Sequence, residues 1–251
     1  MPFKPCVIIP IYNNQTTIEL VVESLACFNT PCLIVDDGSD ALTKDVLLRL
    51  PDKFPWVRVI TRQKNGGKGA AMCEGFRTAF GEGYTHAVQL DADGQHDASD
   101  VPRFLAAALR TPGSLIMGKP LFDAAAPLAR RYGRLVTQFW VAIETLSWAI
   151  PDALYGFRCY PLAPVIQLYG RAKIGDGMVF DTAIAVRLFW MGVPVETLET
   201  RVTYLAGGLS HFHYLRDNLR IIWLHIGLII GMLLRLPQLL FRPPAKALER
   251  P

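Results

Sequence analysis

The sequence contains few charged residues and no paired cysteine motif. Asp, Glu, Lys and Arg make up 19% of its 251 residues, below the quarter that is usual for soluble domains. The five cysteines are odd in number and include no Cys-x-x-Cys spacing, so we expect free thiols in a reducing compartment. The absence of a basic run with interleaved aromatic residues argues against nucleic acid as a partner. The N-terminal apolar run, residues 7–11, is too short for a signal peptide and contains Pro10.

Apolar segments are frequent in the second half of the chain, but uninterrupted long ones are absent. Residues 221–234 carry no formal charge, yet fourteen residues fall short of the roughly 20 that a spanning helix needs. Residues 135–150 are apolar and aromatic, and Leu135, Phe139 and Ile143 lie on one helical stripe. We predict interfacial or re-entrant helices here. The alternative is a pair of helices buried in a protein core.

These segments suggest how the chain is organised. We predict one domain over residues 1–215, with an interfacial helix at about 125–150, and an apolar, amphipathic, membrane-associated segment over residues 216–251. The net charge is +4, and many of the arginines lie beyond residue 129. A basic C-terminal half suits an anionic acceptor or an anionic membrane surface.

Short apolar runs alternate with helical patterns in the first half of the chain. We predict strands at residues 7–11, 32–35, 57–61, 86–90 and 115–118, and helices at residues 41–50, 69–79 and 97–110. This alternation predicts an α/β fold with a mostly parallel, doubly wound, Rossmann-like sheet. Ligands of such sheets bind outside the carboxyl ends of the strands.

Polar clusters stand at those predicted strand ends. Asp91, Asp93 and Gln95 follow the fourth strand and place three oxygen ligands on an extended segment, which suits Mg²⁺ or Mn²⁺ bound to a diphosphate. The alternative is an Asp- and Gly-rich surface turn. Asp36 and Asp37 follow the second strand and could bind a base or ribose, or cap the next helix.

Lys68 follows Gly66 and Gly67 at the start of a predicted helix, where an ammonium group and backbone amides could contact a phosphate. The spacing is not that of a Walker A loop, which argues against an ATPase.

Taken together, these motifs closely resemble family 2 glycosyltransferases of the GT-A fold, and within them the dolichyl- or polyprenyl-phosphate sugar transferases. The matching segments are Pro10-x-Tyr12-Asn13-Asn14, Asp36-Asp37-Gly38-Ser39, Asn65-x-x-Lys68-Gly69 and Asp91-Ala92-Asp93-Gly94-Gln95-His96. The resemblance implies a doubly wound mixed sheet with membrane-associated C-terminal helices, and inverting, metal-dependent transfer from a nucleotide-diphosphate sugar.

The resemblance also implies a donor site. Its nucleotide-sugar ligands would be Pro10, Tyr12, Asn14, Asp36, Asp37, Lys68, Asp91, Ala92 and Asp93. The metal ligands would be Asp91, Asp93 and Gln95, with Asp93 counted among the catalytic residues. Asn14 stands where the family often has Glu, so its role departs from the pattern.

On the acceptor side, to which the resemblance also assigns the helix at about 125–150, it implies a set of basic and polar ligands. They are Lys119, Arg130, Arg131, Arg134, Arg158, Ser210 and His211, with Arg131 also predicted to be catalytic. Arginine forks suit a phosphate, although juxtamembrane charges, a structural turn at Arg158 and a surface loop at His211 are the alternatives. Asp181 is the predicted acidic residue near the acceptor, or a helix cap, while Ala183 replaces the Glu that the pattern usually carries.

The expected enzyme moves a sugar from a UDP- or GDP-sugar to a lipid-linked acceptor, with polyprenyl phosphate favoured. It would work at the cytoplasmic face of the inner membrane as a peripheral or monotopic protein. A lipid phosphate is already ionised, whereas a sugar hydroxyl needs a general base, for which Asp181 is the candidate. The alternatives are therefore transfer to a hydroxyl of a glycolipid or cell-envelope glycan, and a non-catalytic nucleotide-sugar-binding protein.

Overall fold

The computed structural model describes residues 2–121, 128–172, 174–177, 179–202 and 214–241, apart from the side chains of residues 128–132 and 214–218. The strands are β1 Pro5–Ile11, β2 Cys32–Asp36, β3 Val57–Thr61, β4 His86–Gln89, β5 Leu115–Leu121, β6 Arg158–Pro161 and β7 Val195–Arg201. The helices are α1 Ile18–Leu25, α2 Ala41–Lys53, α3 Lys68–Gly81, α4 Val101–Arg110, α5 Leu128–Thr145, α6 Leu162–Arg171, α7 Phe180–Trp190, α8 Tyr214–Leu233 and α9 Leu236–Leu240.

The strands form one mixed sheet in the order β3-β2-β1-β4-β6-β5-β7. β6 is antiparallel to both of its neighbours, β4 and β5, while the other pairs are parallel. In the register of β1, Ile11 pairs with Asp36 and Ile8 pairs with Gln89. The loops after β2 and β4 therefore leave the sheet at the same edge, and the expected α/β architecture is confirmed.

Helices cover both faces of the sheet, so the inner strands are buried on both sides. All five residues of β2 are buried, as the near-continuous apolar run of a parallel strand predicts. One core cluster includes Phe76 of α3 and Phe180 of α7, and the other includes Val22 of α1 and Phe104 of α4. The edge of the sheet where the loops after β2 and β4 emerge therefore lies between two packed layers of helices.

Local signals explain the helix boundaries near the site. The Asp40 side chain accepts a hydrogen bond from the Thr43 amide at 2.9 Å and caps α2. The helix predicted at residues 97–110 begins as a 3₁₀ turn, Ala98–Asp100, before α4. The third strand was predicted at its observed bounds, whereas β6 and β7 were not predicted at all.

α5 and α8 pack against each other and leave apolar side chains exposed. His225 Nδ1 lies 2.6 Å from Glu144 Oε1 and joins the two helices. The predicted stripe of α5 faces outward at Leu135 and Phe139, and Trp223 of α8 is 71% exposed. Among the described residues, no helix combines the length and apolar character needed to cross a bilayer. Membrane association of these helices, and the division at residue 215, remain predictions.

Candidate active site

The loop after β4 places Asp91 and Asp93 close together over the edge of the sheet. The backbone N–H of Gln95 donates to Asp93 Oδ1 at 3.0 Å, and the backbone N–H of Asp91 donates to His96 Nδ1 at 3.2 Å. The His96 ring stacks on Phe157 with 5.3 Å between the ring centroids. Burial lowers the pKa of His96, against the pull of the nearby carboxylates, so the ring is held neutral beneath the loop.

Lys68 forms ion pairs with two carboxylates from distant parts of the chain. Its Nζ lies 2.7 Å from Asp91 Oδ1 and 2.7 Å from Asp181 Oδ2. Burial alone would lower the pKa of Lys68, but Asp181 and Asp91 outweigh burial and raise it. Burial likewise opposes ionisation of Asp91, yet the charge of Lys68 outweighs burial and brings the pKa of Asp91 down to about 2. The cluster therefore holds an ammonium group between two carboxylates.

The glycine loop before α3 binds other parts of the protein through its amides. The Gly67 amide donates to Asp37 Oδ2 at 2.6 Å and the Gly66 amide donates to the same carboxylate. The Gly69 amide donates to the Asp176 carbonyl at 2.8 Å. Because these amides are already paired, the expected phosphate cradle of backbone amides is not what the structure shows. Lys68 instead joins the acidic loop after β4 to α7.

Asp36, the last residue of β2, and Asp37, which follows it, have a structural role in this arrangement. Asp36 is fully buried, and its Oδ1 accepts from the Ser39 amide at 2.9 Å. Asp37 is 2% exposed and pairs with Arg62 besides the glycine amides. The expectation that Asp36 contacts the nucleoside is therefore corrected, because its carboxylate does not reach the surface. Asp37 orders the glycine loop, and a contact between Asp37 and a nucleoside stays a prediction.

The remaining nucleoside-site predictions lie around the end of β1. Pro10 and Asn14 are half-buried, and Tyr12 is exposed. Ala92, in the loop after β4, is 5% exposed and accepts a hydrogen bond from Thr17 Oγ1 through its carbonyl. The structure brings these residues to the same edge as Asp91, but it leaves their contacts with a ligand as predictions.

Asp93 has the chemistry of a cation ligand. Burial and the charge of Asp91 raise the pKa of Asp93. Among the described residues, no Lys or Arg pairs with Asp93 and no cluster of three acidic, His or Cys ligands occurs. The backbone nitrogen of Gln95 contacts the Asp93 carboxylate, and the Gln95 side chain carries an oxygen of the kind that ligates Mg²⁺ or Mn²⁺. The residues fit a divalent ion that a diphosphate would help to hold, whereas Asp91 is already paired with Lys68.

Arg158 has a different role from the one expected. It is fully buried, and its guanidinium donates to the carbonyls of Tyr155 and Ala153, both at 2.8 Å, and of Asp181 at 2.5 Å. A side chain enclosed in this way does not reach an acceptor, so the prediction of acceptor binding by Arg158 is wrong. Arg158 holds the start of α7 against the segment before β6.

Sequence reasoning missed two buried side chains at this site. Gln89 donates through Nε2 to Asp181 Oδ1 at 3.0 Å, and the Tyr160 hydroxyl donates to Gln89 Oε1 at 3.1 Å. Both residues are fully buried. A polar residue that follows the apolar pair Ala87-Val88 at the end of a central strand was the available signal at Gln89.

The other acceptor-side predictions are scattered or outside the described residues. Lys119 Nζ lies 3.0 Å from Glu199 Oε1, and both side chains are exposed. Arg134 pairs with Asp152, which links α5 to the segment before β6. The side chains of Arg130 and Arg131, and residues Ser210 and His211, lie outside the described residues.

Comparison with known proteins supplies independent findings. The family described as Glycosyl transferase family 2 matches residues 6–159. Over 216 residues the chain is 38% identical to the polyprenol monophosphomannose synthase of Mycolicibacterium smegmatis, covering 82% of this chain and 80% of that protein. Over 223 residues it is 36% identical to the undecaprenyl-phosphate mannosyltransferase of Micrococcus luteus, covering 80% of this chain and 87% of that protein.

Two solved structures share the fold at low sequence identity. The mannosyltransferase PcManGT from Pyrobaculum calidifontis, in complex with GDP-Man and Mn²⁺, aligns with a TM-score of 0.59 at 18% identity over 91% of this chain and 64% of that one. S. aureus TarS 1-349, in complex with UDP-GlcNAc, aligns with a TM-score of 0.59 at 16% identity over 89% and 66%. The chain thus spans about two thirds of these structures. The similarity confirms the GT-A-type fold.

Proposed function

The chain belongs to glycosyl transferase family 2 and is a glycosyltransferase. We propose that it transfers a hexose from a nucleotide-diphosphate sugar to a polyprenyl phosphate, and that this hexose is mannose. The names of the two curated relatives support mannose and a polyprenyl-phosphate acceptor. The donor would be a GDP- or UDP-sugar.

One observation favours a phosphate over a hydroxyl acceptor. Asp181 is the acidic residue expected near the acceptor, and both of its oxygens are engaged, Oδ1 by Gln89 and Oδ2 by Lys68. It is also only 5% exposed. A carboxylate that is paired with an ammonium group and enclosed in this way is poorly placed to remove a proton from a hydroxyl. A lipid phosphate is already ionised and needs no such base.

On the donor side, Asp93 and Gln95 would hold a divalent cation, Mg²⁺ or Mn²⁺, and Asp91 would contact the sugar nucleotide. Such an ion, when bound, would offset the charge of the departing nucleoside diphosphate. Asp93 suits this role because its carboxylate is half-enclosed beside a second carboxylate and has a raised pKa. Lys68 keeps Asp91 ionised next to it.

On the acceptor side, Lys119, Arg130 and Arg131 are the proposed phosphate ligands. Lys119 stands at the same sheet edge, and its partner Glu199 is exposed. Exposed ion pairs of this kind contribute about 0–1 kcal/mol. An incoming phosphate could therefore displace Glu199 at low free-energy cost.

The exposed apolar side chains of α5 and α8 support action at a membrane surface. Leu135, Phe139 and Trp148 on or just after α5, and Ile222 and Trp223 on α8, are each more than half exposed. Large exposed apolar patches mark sites of protein or membrane contact. A peripheral position on the cytoplasmic face would let the enzyme meet both a water-soluble donor and a lipid acceptor.

The proposed function is tested by the identity of the acceptor. Purified protein, Mn²⁺ and radiolabelled GDP-mannose or UDP-hexoses would be incubated either with polyprenyl phosphate or with a neutral glycolipid. We expect labelled sugar on the polyprenyl phosphate, released by mild acid as expected of a sugar phosphodiester. Transfer to the glycolipid hydroxyl alone would contradict the proposal.

A substitution at Asp181 distinguishes the two acceptors further. With a phosphate acceptor, Asp181→Asn should weaken transfer without abolishing it, because no proton has to be removed. Complete loss in a folded variant, at every pH between 6 and 9, would instead identify Asp181 as an essential base and a hydroxyl as the acceptor.

A further inference from the structure

Gln89 occupies an unusual position for a polar side chain. It ends β4, a central strand whose four residues are all buried, and such strands are usually apolar throughout. Both ends of its amide nevertheless have partners, the Tyr160 hydroxyl at Oε1 and Asp181 at Nε2. Buried polar groups are generally hydrogen-bonded; what distinguishes Gln89 is that its partner at Nε2 is the Asp181 carboxylate, which also pairs with Lys68.

The direction of these hydrogen bonds is set by Arg158. Its guanidinium has only donors, and one of them lies 3.5 Å from the Tyr160 oxygen. The Tyr160 hydroxyl must then use its proton on Gln89 Oε1, which turns the amide nitrogen of Gln89 toward Asp181. We call this run from Arg158 through Tyr160 and Gln89 to Asp181 the donor chain.

The donor chain ends where the charged groups converge. A Cβ at Gly156 would lie 2.8 Å from Gln89 Nε2, 2.8 Å from Lys68 Nζ and 2.9 Å from Asp91 Oδ2. The amide nitrogen, the ammonium group and the carboxylate therefore meet beneath a backbone that only glycine allows so close. Asp91 and Asp181 share the ammonium group of Lys68, and the side-chain amide of Gln89 supplies a second hydrogen-bond donor to Asp181.

We propose that Gln89 is a positioning residue that holds the Asp181 carboxylate, and through it the Lys68 ammonium group, in place beside the donor site. Gln89 reaches the reacting groups only through these neighbours. The inference rests on the proposed function, because the role of Gln89 is to keep Asp181 paired and Asp91 correctly placed during sugar transfer.

Two substitutions at Gln89 separate hydrogen bonding from packing. Gln89→Met fills a similar volume without donors, and we expect kcat/KM to fall about tenfold to a hundredfold at all pH values, the loss of a hydrogen bond to a charged group. Gln89→Glu places an acid at a fully buried position, where burial together with Asp91 and Asp181 raises its pKa against the opposing charge of Lys68. Protonated, it can donate to Asp181 as the amide does; ionised, it adds a third carboxylate around Lys68.

The expected signature is a pH profile that a purely structural residue would not give. The ratio of Gln89→Glu activity to wild-type activity should rise about tenfold as the pH falls from 8.5 to 6, because the protonated acid restores the donor. The corresponding ratio for Gln89→Met should stay flat. Tyr160→Phe should lose activity, whereas the control Tyr169→Phe, in the same core but outside the donor chain, should match the wild type.

Melting temperatures give a readout that is independent of the acceptor. Relative to the wild type, Gln89→Glu should become more stable as the pH falls, since its folded-state pKa is raised, and Gln89→Met should not. A flat Gln89→Glu profile in both activity and melting, or Gln89→Met activity within twofold of the wild type, would overturn the inference. Failure of the wild type to use polyprenyl phosphate would overturn the proposed function alone.

Discussion

Replacing Lys68 by Met removes the cation between Asp91 and Asp181 while keeping an unbranched side chain of similar length. Both Nζ–carboxylate distances are 2.7 Å, and the Lys68 side chain is 17% exposed. Removing one partner from a buried ion-paired group costs roughly 3–5 kcal/mol. For a chain of this size, that loss corresponds to a drop in melting temperature of roughly 6–20 °C at pH 7.5.

The dependence of this effect on pH has a definite sign. In the wild type the pKa of Asp91 is lowered to about 2, so its contribution to stability is present above pH ~4 and is lost as the pH falls toward 2. In Lys68→Met the two carboxylates repel each other, and the folded-state pKa of the pair rises above the unfolded value. The variant therefore regains stability between pH 7.5 and pH 5, and its deficit against the wild type shrinks.

Thermal melts followed by circular dichroism at pH 7.5, 6 and 5 measure both effects. Lys53→Met is the matched control, because Lys53 pairs with Glu19 at the exposed surface, and it should melt with the wild type. A deficit for Lys68→Met below about 2 °C at pH 7.5, or one that stays constant down to pH 5, would show that Lys68 does not hold the two carboxylates together.

The other predictions concern the cation and the membrane. Without metal, Asp93→Asn should melt at or above the wild-type temperature, because the raised pKa of Asp93 means that its charge destabilises the fold as the pH rises. The variant should also lose the stabilisation by Mn²⁺ and most of the transfer activity. The control Asp45→Asn, at an exposed site, should keep both. An unchanged Mn²⁺ response in Asp93→Asn would refute the metal assignment. Trp223→Glu should reduce sedimentation with anionic vesicles about tenfold or more, whereas Leu48→Glu, equally exposed on α2, should not. Equal vesicle binding by both variants would refute a membrane role for α8.

The sequence alone determined the architecture around the donor site. The bounds of β3 were predicted as observed, and the loops after β2 and β4 were expected at one edge of a parallel sheet. The spacing of apolar residues and the polar residues at strand ends depend on only a few neighbouring positions, so both can be recognised in the sequence without knowing the fold. The motifs that resemble family 2 glycosyltransferases are local in the same sense, and the comparisons confirm that membership.

Only the tertiary structure decided what several of the charged residues do. Arg158 was expected to bind an acceptor, but packing encloses it and directs it to three carbonyls. Gln89 and Tyr160 gave no motif, because their partner Asp181 lies on a helix far along the chain. Burial, and the hydrogen bonds that burial requires, depend on residues brought together from distant segments. The sequence therefore indicated which kinds of side chain lie at the site, whereas the role of each charged side chain depended on partners that only the folded structure brings close.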